Sequence, residues 1–359
     1  MGLLTTMMAA MAMAAGPLPA EPPIPVLTGG RVIRAADGSA SFGWPGVYFE
    51  ARVRGPGVRL AFEAPEDFLR VLVDGQEVGS FRRPGRVDVT FDQLGDGEHV
   101  IRLEKQTESQ QGGSRLIGFW PAAGSTALPP RPRARQIEFI GDSYTVGYGN
   151  TSTRHACPGS QVHDTTDTQQ AFGPLVARAF DADYRINAYS GFGVVRNYDG
   201  GSADLSLPAI YPRLKPDSAA PVEGKDPAWT PGVIVINLGT NDFSTPVKPG
   251  ERWADEAALK DAYVDRYVAF VRMLRARDPQ ARFVLMASDA FLAEVRRVEQ
   301  ALDPAAAPGR VAVVRFGELD LKGCDFHPSL ADDRRMATLL TTAITDLAPG
   351  WRATTVAAE

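Results

Sequence analysis

Residues 137–149 read IEFIGDSYTVGYG. The first four, Ile137 to Ile140, are a short and mostly apolar run, which is typical of a buried strand. Small residues follow at once, and they let the chain turn sharply and present the Ser143 hydroxyl at the end of the strand. This stretch therefore predicts a strand that ends in a turn bearing a nucleophile, although the G-x-S-x-G pattern of α/β-hydrolases is absent.

The alternation of strands and helices continues toward the C-terminus. Strands are predicted at 233–238, 283–286 and 311–314, and amphipathic helices at 258–275 and 290–301. Apolar strands that are separated by helices indicate a parallel sheet covered on both faces. Ligands of such sheets bind outside the carboxyl ends of the strands. We therefore expect the chemistry of this region at that edge of the sheet.

The region from Gly30 to Trp120 has a different pattern, with short strands and many turns. Residues 68–73 read FLRVLV and run into Asp74-Gly75, which is a strong hairpin signal. Several short strands at this spacing, without helical periodicity, predict an antiparallel sandwich of the jelly-roll type. No residue pattern in this region indicates catalysis.

A proline-rich joint, PPRPR at 129–133, separates the two regions. Prolines fix φ and remove backbone donors, so this segment is typical of a stiff linker. The 359 residues also exceed what one hydrophobic core comfortably holds. We expect two domains, an all-β jelly roll at 25–128 and a three-layer α/β sandwich with a parallel sheet at 134–350.

Residues 1–20 begin with an apolar stretch that is too short to span a bilayer and that ends in small residues. This pattern predicts a signal peptide and a secreted or periplasmic protein, although the usual positive charge at the start is missing. A disordered Ala-rich tail is the alternative. No later segment is long and apolar enough to cross a membrane, so no membrane association is expected.

Composition and short motifs narrow the possible partners. The chain carries 38 Lys and Arg against 43 Asp and Glu, without a long basic run, so a nucleic-acid partner is not indicated. It contains no H-E-x-x-H, no P-loop and no strand-linked G-x-G-x-x-G. The sequence therefore predicts no metal, nucleotide or flavin, and no cofactor is expected.

Three further motifs accompany the predicted strands of the second region: SGFG at 190–193, GTND at 239–242 and CDFHPS at 324–329. Together with GDSYT at 141–145, and in this order, they resemble the SGNH (GDSL-like) hydrolase superfamily. Combined with a jelly roll in front, they resemble carbohydrate esterase family 2, the acetylxylan esterase group. The resemblance covers nearly the whole chain after residue 20, and it implies an SGNH-hydrolase fold for the second domain.

The resemblance assigns a role to each motif. Ser143 is the implied nucleophile, and since a hydroxyl is a poor nucleophile at neutral pH, it needs a base to take its proton. His327 is the implied base, because imidazole titrates in the right range. The Ser143 N–H, the Gly191 N–H and the Asn241 side-chain amide are the implied oxyanion donors. Gly193 is the alternative to Gly191.

The sequence departs from the superfamily at the residue that orients the histidine. Most SGNH enzymes have an Asp three residues before the His, but Cys324 occupies that position here. The nearest carboxylate is Asp325, which is the candidate third member of a triad. The alternative is a Ser–His dyad, since some members of the resembled family orient the histidine with a backbone carbonyl.

The only two cysteines, Cys157 and Cys324, lie in loops beside these motifs. An exported protein with a single pair usually oxidises it, so a disulfide that pins the rim of the active site is expected, with two unrelated thiols as the alternative. Tyr144, Phe192 and Phe326 are the aromatic residues of these motifs. They are candidates for a sugar-stacking cleft or, alternatively, for the core.

The function that the resemblance implies is that of a serine esterase, expected to be a monomer, which hydrolyses O-acetyl esters on xylan, mannan or glucan-type chains through an acetyl-enzyme. A lipase or thioesterase of the same superfamily is one alternative, but the segment 197–221 is polar and rich in Gly and Pro rather than apolar. A non-catalytic polysaccharide-binding protein is another alternative. The Ser/Gly/Asn/His set argues against it.

Overall fold

The chain divides between Pro132 and Arg133, in the proline-rich joint, into two units that are described here in turn. The structure, a computed structural model, describes residues 10–13, 16–224, 226–302 and 309–354. The predicted signal peptide at 1–20 therefore lies partly outside the described residues. Within them, Ala10–Met13 forms a strand.

The secondary structure of the first unit, among its described residues, consists of strands alone. They are β1 (Ala10–Met13), β2 (Leu27–Gly29), β3 (Ile33–Arg34), β4 (Ala40–Phe42), β5 (Tyr48–Arg54), β6 (Val58–Ala64), β7 (Phe68–Val73), β8 (Gln76–Arg82), β9 (Gly85–Asp92), β10 (Glu98–Lys105), β11 (Ser114–Pro121) and β12 (Thr126–Leu128).

These strands form two antiparallel sheets. One has the order β1-β9-β6-β11-β4-β3, and the other has the order β12-β5-β10-β7-β8, with β2 also paired to β5. In β9 the buried residues alternate with half-buried ones, as expected for a strand with one face on the core. Phe42 of the first sheet and Phe49 of the second lie 5.2 Å apart between ring centroids, so side chains of the two sheets meet in one core. This unit is the sheet-rich domain that the sequence predicted.

The turn at Asp74 and Gly75 joins β7 to β8, as the sequence predicted. Both residues have positive φ, 51° and 83°. Two-residue hairpin loops favour this conformation because its twist matches that of the strands, and Asp-Gly adopts it readily.

The second unit alternates strands and helices. Its elements are β13 (Arg135–Gly141), α1 (Ser143–Val146), α2 (Gln161–Asp164), α3 (Phe172–Ala179), β14 (Ala182–Ala188), α4 (Leu207–Ile210), β15 (Val233–Asn237), α5 (Thr240–Phe243), α6 (Glu256–Arg277), β16 (Arg282–Ala287), α7 (Leu292–Leu302), β17 (Val311–Arg315) and α8 (Leu330–Leu347). Short 3₁₀ turns occur at Thr168–Gln170, Tyr198–Gly200 and Cys324–Phe326.

The five strands found among the described residues of this unit form one parallel sheet in the order β14-β13-β15-β16-β17. Every residue of β14 and β15 is buried, which requires that both faces of the sheet are covered. Helix α3 packs against α8, and α6 packs against α7. The parallel sheet that was predicted for this region is confirmed.

The long helices begin and end close to the predicted bounds. Helix α6 starts at Glu256 because the Asp255 side chain accepts a hydrogen bond from the Ala258 N–H and caps the helix. No helix among the described residues has both the length and the apolar character needed to cross a membrane.

Candidate active site

The three polar motifs predicted to act on substrate follow three adjacent strands. Strand β13 lies between β14 and β15, and all three run in the same direction. Ser143 comes two residues after β13, Gly191 three residues after β14, and Asn241 four residues after β15. Since the carboxyl ends of parallel strands meet at one edge, the sheet gathers these three residues there.

The Ser143 hydroxyl is paired with the imidazole of His327. The Nε2 atom of His327 lies 2.9 Å from Ser143 Oγ, although 184 residues separate the two along the chain. Ser143 opens α1, and the Asp142 carboxylate caps this short helix by accepting from the Tyr144 N–H at 3.1 Å. The distance lets His327 take the hydroxyl proton directly.

Main-chain carbonyls orient the His327 ring. Its Nδ1 lies 3.0 Å from the Cys324 carbonyl oxygen and 3.2 Å from that of Asp325. Carbonyls only accept hydrogen bonds, so Nδ1 carries the proton and Nε2 is left as the acceptor that faces Ser143. The turn that aims these carbonyls places Asp325 and Phe326 at positive φ, 49° and 60°.

The carboxylate of Asp325, the candidate third member of a triad, makes a different contact. It accepts a hydrogen bond from the Tyr148 hydroxyl at 3.0 Å. Asp325 therefore supplies its carbonyl to the His327 ring, because the turn directs the main chain, and not the side chain, toward Nδ1. Of the two alternatives left open by the sequence, this geometry favours the dyad.

Burial lowers the pKa of His327 below its ordinary value, because desolvation disfavours the imidazolium. The carbonyls of Cys324 and Asp325, and then the Asp325 charge, oppose this shift without cancelling it. The lowered pKa favours the neutral ring, which is the form that can act as a base, at neutral pH.

Gly191 is better placed than Gly193 to supply an oxyanion donor. The Gly193 N–H already donates to Asn197 Oδ1 at 3.1 Å. Across the part of the chain that the structure describes, neither the Gly191 N–H nor the Ser143 N–H donates a hydrogen bond. Both amides are thus available to a ligand, and the geometry favours Gly191 among the two alternatives.

Asn241 links the loops after β14 and β15. Its Nδ2 donates to the Phe192 carbonyl oxygen at 2.9 Å and lies 3.4 Å from Asp142 Oδ2. The second distance is long for an N–H···O bond, so this N–H is weakly engaged and is available to an oxyanion.

Buried carboxylates hold the loops that carry these donors. Asp242 accepts from the N–H groups of Val194, Val195 and Arg196 at 2.9, 2.9 and 3.0 Å, and so fixes the loop that follows Gly191. Burial raises the pKa of Asp242 to about 6 and that of Asp142 to about 7. Both side chains bond backbone amides.

The three aromatic candidates for substrate contact differ in their exposure. Phe326 is 64% exposed and stacks on His155 at 4.1 Å between ring centroids. Phe192 is half-buried and packs against Tyr189 at 4.4 Å. Tyr144 is also half-buried, and burial raises its pKa to about 12. Phe326 therefore offers the largest free ring surface of the three.

Tyr148 was not selected from the sequence, although it lies in the GDSYTVGYG stretch. Its ring centroid lies 4.2 Å from that of His327, with 31° between the two planes, and the Tyr144 ring lies 5.5 Å from His327 on an inclined plane. Only the folded turn brings Tyr148 onto the imidazole, since its spacing from Ser143 does not indicate such a contact.

A disulfide joins Cys157 to Cys324, with 5.6 Å between their Cα atoms. The loop that carries Cys157 also bonds to the turn at Cys324–Phe326 through the main chain. There the Asp325 N–H donates to the His155 carbonyl oxygen at 2.7 Å. The Cys324 carbonyl faces His327 Nδ1, so the disulfide restrains the segment that orients the base.

In the described parts of the chain no three His, Cys, Asp or Glu side chains group to hold a metal ion.

Comparison with known proteins adds a family to this geometry. Residues 28–131 match the family described as carbohydrate esterase 2 N-terminal, and residues 139–346 match the GDSL-like lipase/acylhydrolase family. An acetylxylan esterase/glucomannan deacetylase of Cellvibrio japonicus is 44% identical over 89% of this chain and 90% of its own length.

Solved structures give the same result. One is of a carbohydrate esterase whose active site is described as having divergent catalytic and non-catalytic binding functions. It has a TM-score of 0.85 and 41% identity, and the match covers 92% of this chain and 99% of that one. A family two carbohydrate esterase of Clostridium thermocellum in complex with cellohexaose has a TM-score of 0.77 and 27% identity, with 89% and 98% covered. The chain therefore belongs to the GDSL-like (SGNH) hydrolases, within carbohydrate esterase family 2, and is a carboxylic ester hydrolase of the acetylxylan esterase type.

Proposed function

We propose that this protein removes O-acetyl groups from plant-type polysaccharides such as xylan and glucomannan, through an acetyl-enzyme on Ser143. The observation that carries the proposal is the 2.9 Å contact between His327 Nε2 and Ser143 Oγ at an edge where the Gly191 and Ser143 amides are free to bind a ligand. A nucleophile, a base and oxyanion donors are the parts that acyl transfer requires.

The first half of the reaction follows from these positions. His327 Nε2 takes the proton of Ser143 as Oγ attacks the acetyl carbonyl. The Ser143 and Gly191 N–H groups and the Asn241 amide stabilise the tetrahedral oxyanion. His327 then returns the proton to the sugar oxygen, which leaves as an alcohol while the acetyl group stays on Ser143.

Water completes the reaction. His327 takes a proton from a water molecule, which attacks the acetyl-enzyme, and the same three donors stabilise the second oxyanion. Collapse of this intermediate releases acetic acid, which ionises to acetate and a proton in solution, and His327 returns its proton to Ser143 Oγ. Water is the only co-substrate of the reaction.

Charged and aromatic side chains near the loop that follows Gly191 support a sugar rather than a long acyl chain as the substrate. A cavity of about 440 Å³ borders the loop that follows Gly191, and its lining includes the charged residues Asp199, Lys248 and Glu251 and the aromatic Trp253, but not Ser143 or His327. Charged side chains of this kind suit hydroxyl-rich ligands and disfavour an alkyl chain. We assign Phe326, together with Phe192 and Tyr144, to contact with the sugar, with Phe326 as the stacking surface because it is the most exposed.

We further propose that the protein is exported after removal of residues 1–20, that it acts as a monomer, and that its first domain is a jelly roll. The disulfide supports export, because such bonds persist in oxidising compartments. N-terminal sequencing of the protein recovered from the medium or periplasm tests the cleavage.

Acetate release from acetylated xylan and acetylated glucomannan, measured beside Ser143→Ala, tests the function. We expect release from polysaccharide by the wild type and a loss of about 10⁴-fold or more in the variant. Release from p-nitrophenyl acetate alone would move the substrate to lipids or small esters. Release that is equal in the variant would overturn the role of Ser143.

A further inference from the structure

The His327 ring gains a positive charge each time it accepts the Ser143 proton. In a triad a carboxylate at Nδ1 stabilises this charge. Here two neutral carbonyls face Nδ1, and burial already disfavours the charged ring. A neighbouring group that attracts a cation would add to the stabilisation that the carbonyls supply.

Tyr148 lies in the position to do so. Its ring centroid is 4.2 Å from that of His327 at an angle of 31°, so the face of the phenol covers the imidazole. The face of an aromatic ring carries negative potential and attracts a cation within about 6 Å of its centroid. The attraction acts on the protonated ring and is absent from the neutral one.

The Tyr148 hydroxyl is anchored as well. It donates a hydrogen bond to Asp325 Oδ2 at 3.0 Å. A phenol that donates to a carboxylate becomes richer in electrons, which strengthens the negative potential on its face. The same bond fixes the orientation of the ring over His327.

The other titratable groups that face the imidazole are few among the described residues. Ser143 and Tyr144 approach it from the segment after β13, and Asp325 belongs to the histidine's own turn. Tyr144 meets the ring at 66° rather than face to face. Tyr148 is thus the neighbour whose geometry suits a cation.

We propose that Tyr148 is a positioning residue that stabilises the imidazolium of His327, with the Asp325 carboxylate anchoring the Tyr148 hydroxyl rather than bonding to Nδ1. The inference deepens the proposed function, since it concerns the base of the same site. It explains how a Ser–His dyad can form the His327 imidazolium during the reaction without a carboxylate bonded to Nδ1.

The test measures the His327 pKa directly, by ¹⁵N NMR of the imidazole in the inactive Ser143→Ala background. Tyr148→Leu removes the aromatic face, and Tyr148→Phe keeps the face but not the anchor. Phe316→Leu is the matched control, because Phe316 packs against Tyr144 at 6.1 Å rather than against His327. His327→Gln identifies the resonance among the four histidines.

We expect Tyr148→Leu to lower the pKa by about half a unit and Tyr148→Phe to lower it less, while Phe316→Leu leaves it in place. With active enzyme and p-nitrophenyl acetate, the acid limb of kcat/KM should move to lower pH by the same amount. The plateau of kcat should fall about two- to fivefold.

An unchanged pKa in Tyr148→Leu, with reduced kcat, would overturn the inference and leave Tyr148 a packing residue. So would an equal shift in Phe316→Leu. Circular dichroism checks that each variant is folded, and Tyr148→Met, which also removes the aromatic face, replaces Tyr148→Leu if that variant does not fold. Failure of the proposed function is distinguishable, because the NMR pKa does not depend on turnover.

Discussion

The acceptors at His327 Nδ1 are main-chain oxygens of Cys324 and Asp325. In a triad built from side chains, exchanging the orienting Asp for Asn costs about 10⁴ in kcat, because the histidine then takes the wrong tautomer. Carbonyls of the main chain persist whatever side chain they carry. The tautomer of this base should therefore be insensitive to the Asp325 side chain.

Asp325→Asn should for this reason lower kcat by less than about tenfold. The amide oxygen of the variant can still accept from Tyr148, although the charge near the ring is lost. Measurement of kcat with p-nitrophenyl acetate checks this, with Asp289→Asn, an exposed carboxylate paired with Arg315, as the control. A loss near 10⁴ would show that the carboxylate reaches the ring during turnover.

At the scale of elements, the turn at Cys324–Phe326 has little regular structure of its own. The disulfide to Cys157 holds it and closes a stretch of 167 residues. In the chain-entropy account, a crosslink over so long a stretch restricts the unfolded chain strongly, and stabilises the fold by about 3–5 kcal/mol.

Reduction should therefore lower the free energy of unfolding by about 3–5 kcal/mol, as measured by urea denaturation with and without dithiothreitol. The chain has only two cysteines, so the reductant breaks only this bond. Cys157→Ser combined with Cys324→Ser should unfold as the reduced protein does, and it should not respond to the reductant. A wild-type midpoint that reductant leaves unchanged would contradict the expectation.

The sequence predicted the elements whose residues carry a local signal. Apolar runs such as 233–238 identified the strands of the parallel sheet, and the Asp74-Gly75 pair identified a hairpin. The orientation of His327 escaped prediction because it depends on positive φ at Asp325 and Phe326, which no side-chain pattern encodes. The contact of Tyr148 with His327 escaped for a related reason, since it joins residues that are distant along the chain.

At the scale of the whole molecule, Ser143, Gly191, Asn241 and His327 all belong to the unit that begins at Arg133. A domain with its own core can fold by itself. The unit from Arg133 has a complete parallel sheet with strands buried on both faces. Its chemistry should therefore not require residues 1–132.

A fragment of residues 133–359 should keep kcat/KM for p-nitrophenyl acetate within about threefold of the full chain. Parallel assays on acetylated xylan then measure what the first unit adds with polymeric substrate. A fragment that is folded by circular dichroism but inactive on the small ester would contradict the expectation.

The oxyanion donors follow the ends of three different strands, so the pairing of these strands determines when activity appears during folding. The nucleophile and the base are separated by 184 residues, and the Gly191 and Asn241 loops come into place only when β14 and β15 have paired with β13. Parallel pairings between distant segments form slowly, because loop closure costs entropy before the contacts are made. A refolding chain should thus gain its helices early and its hydrolytic rate last, which makes turnover a kinetic reporter of the finished sheet.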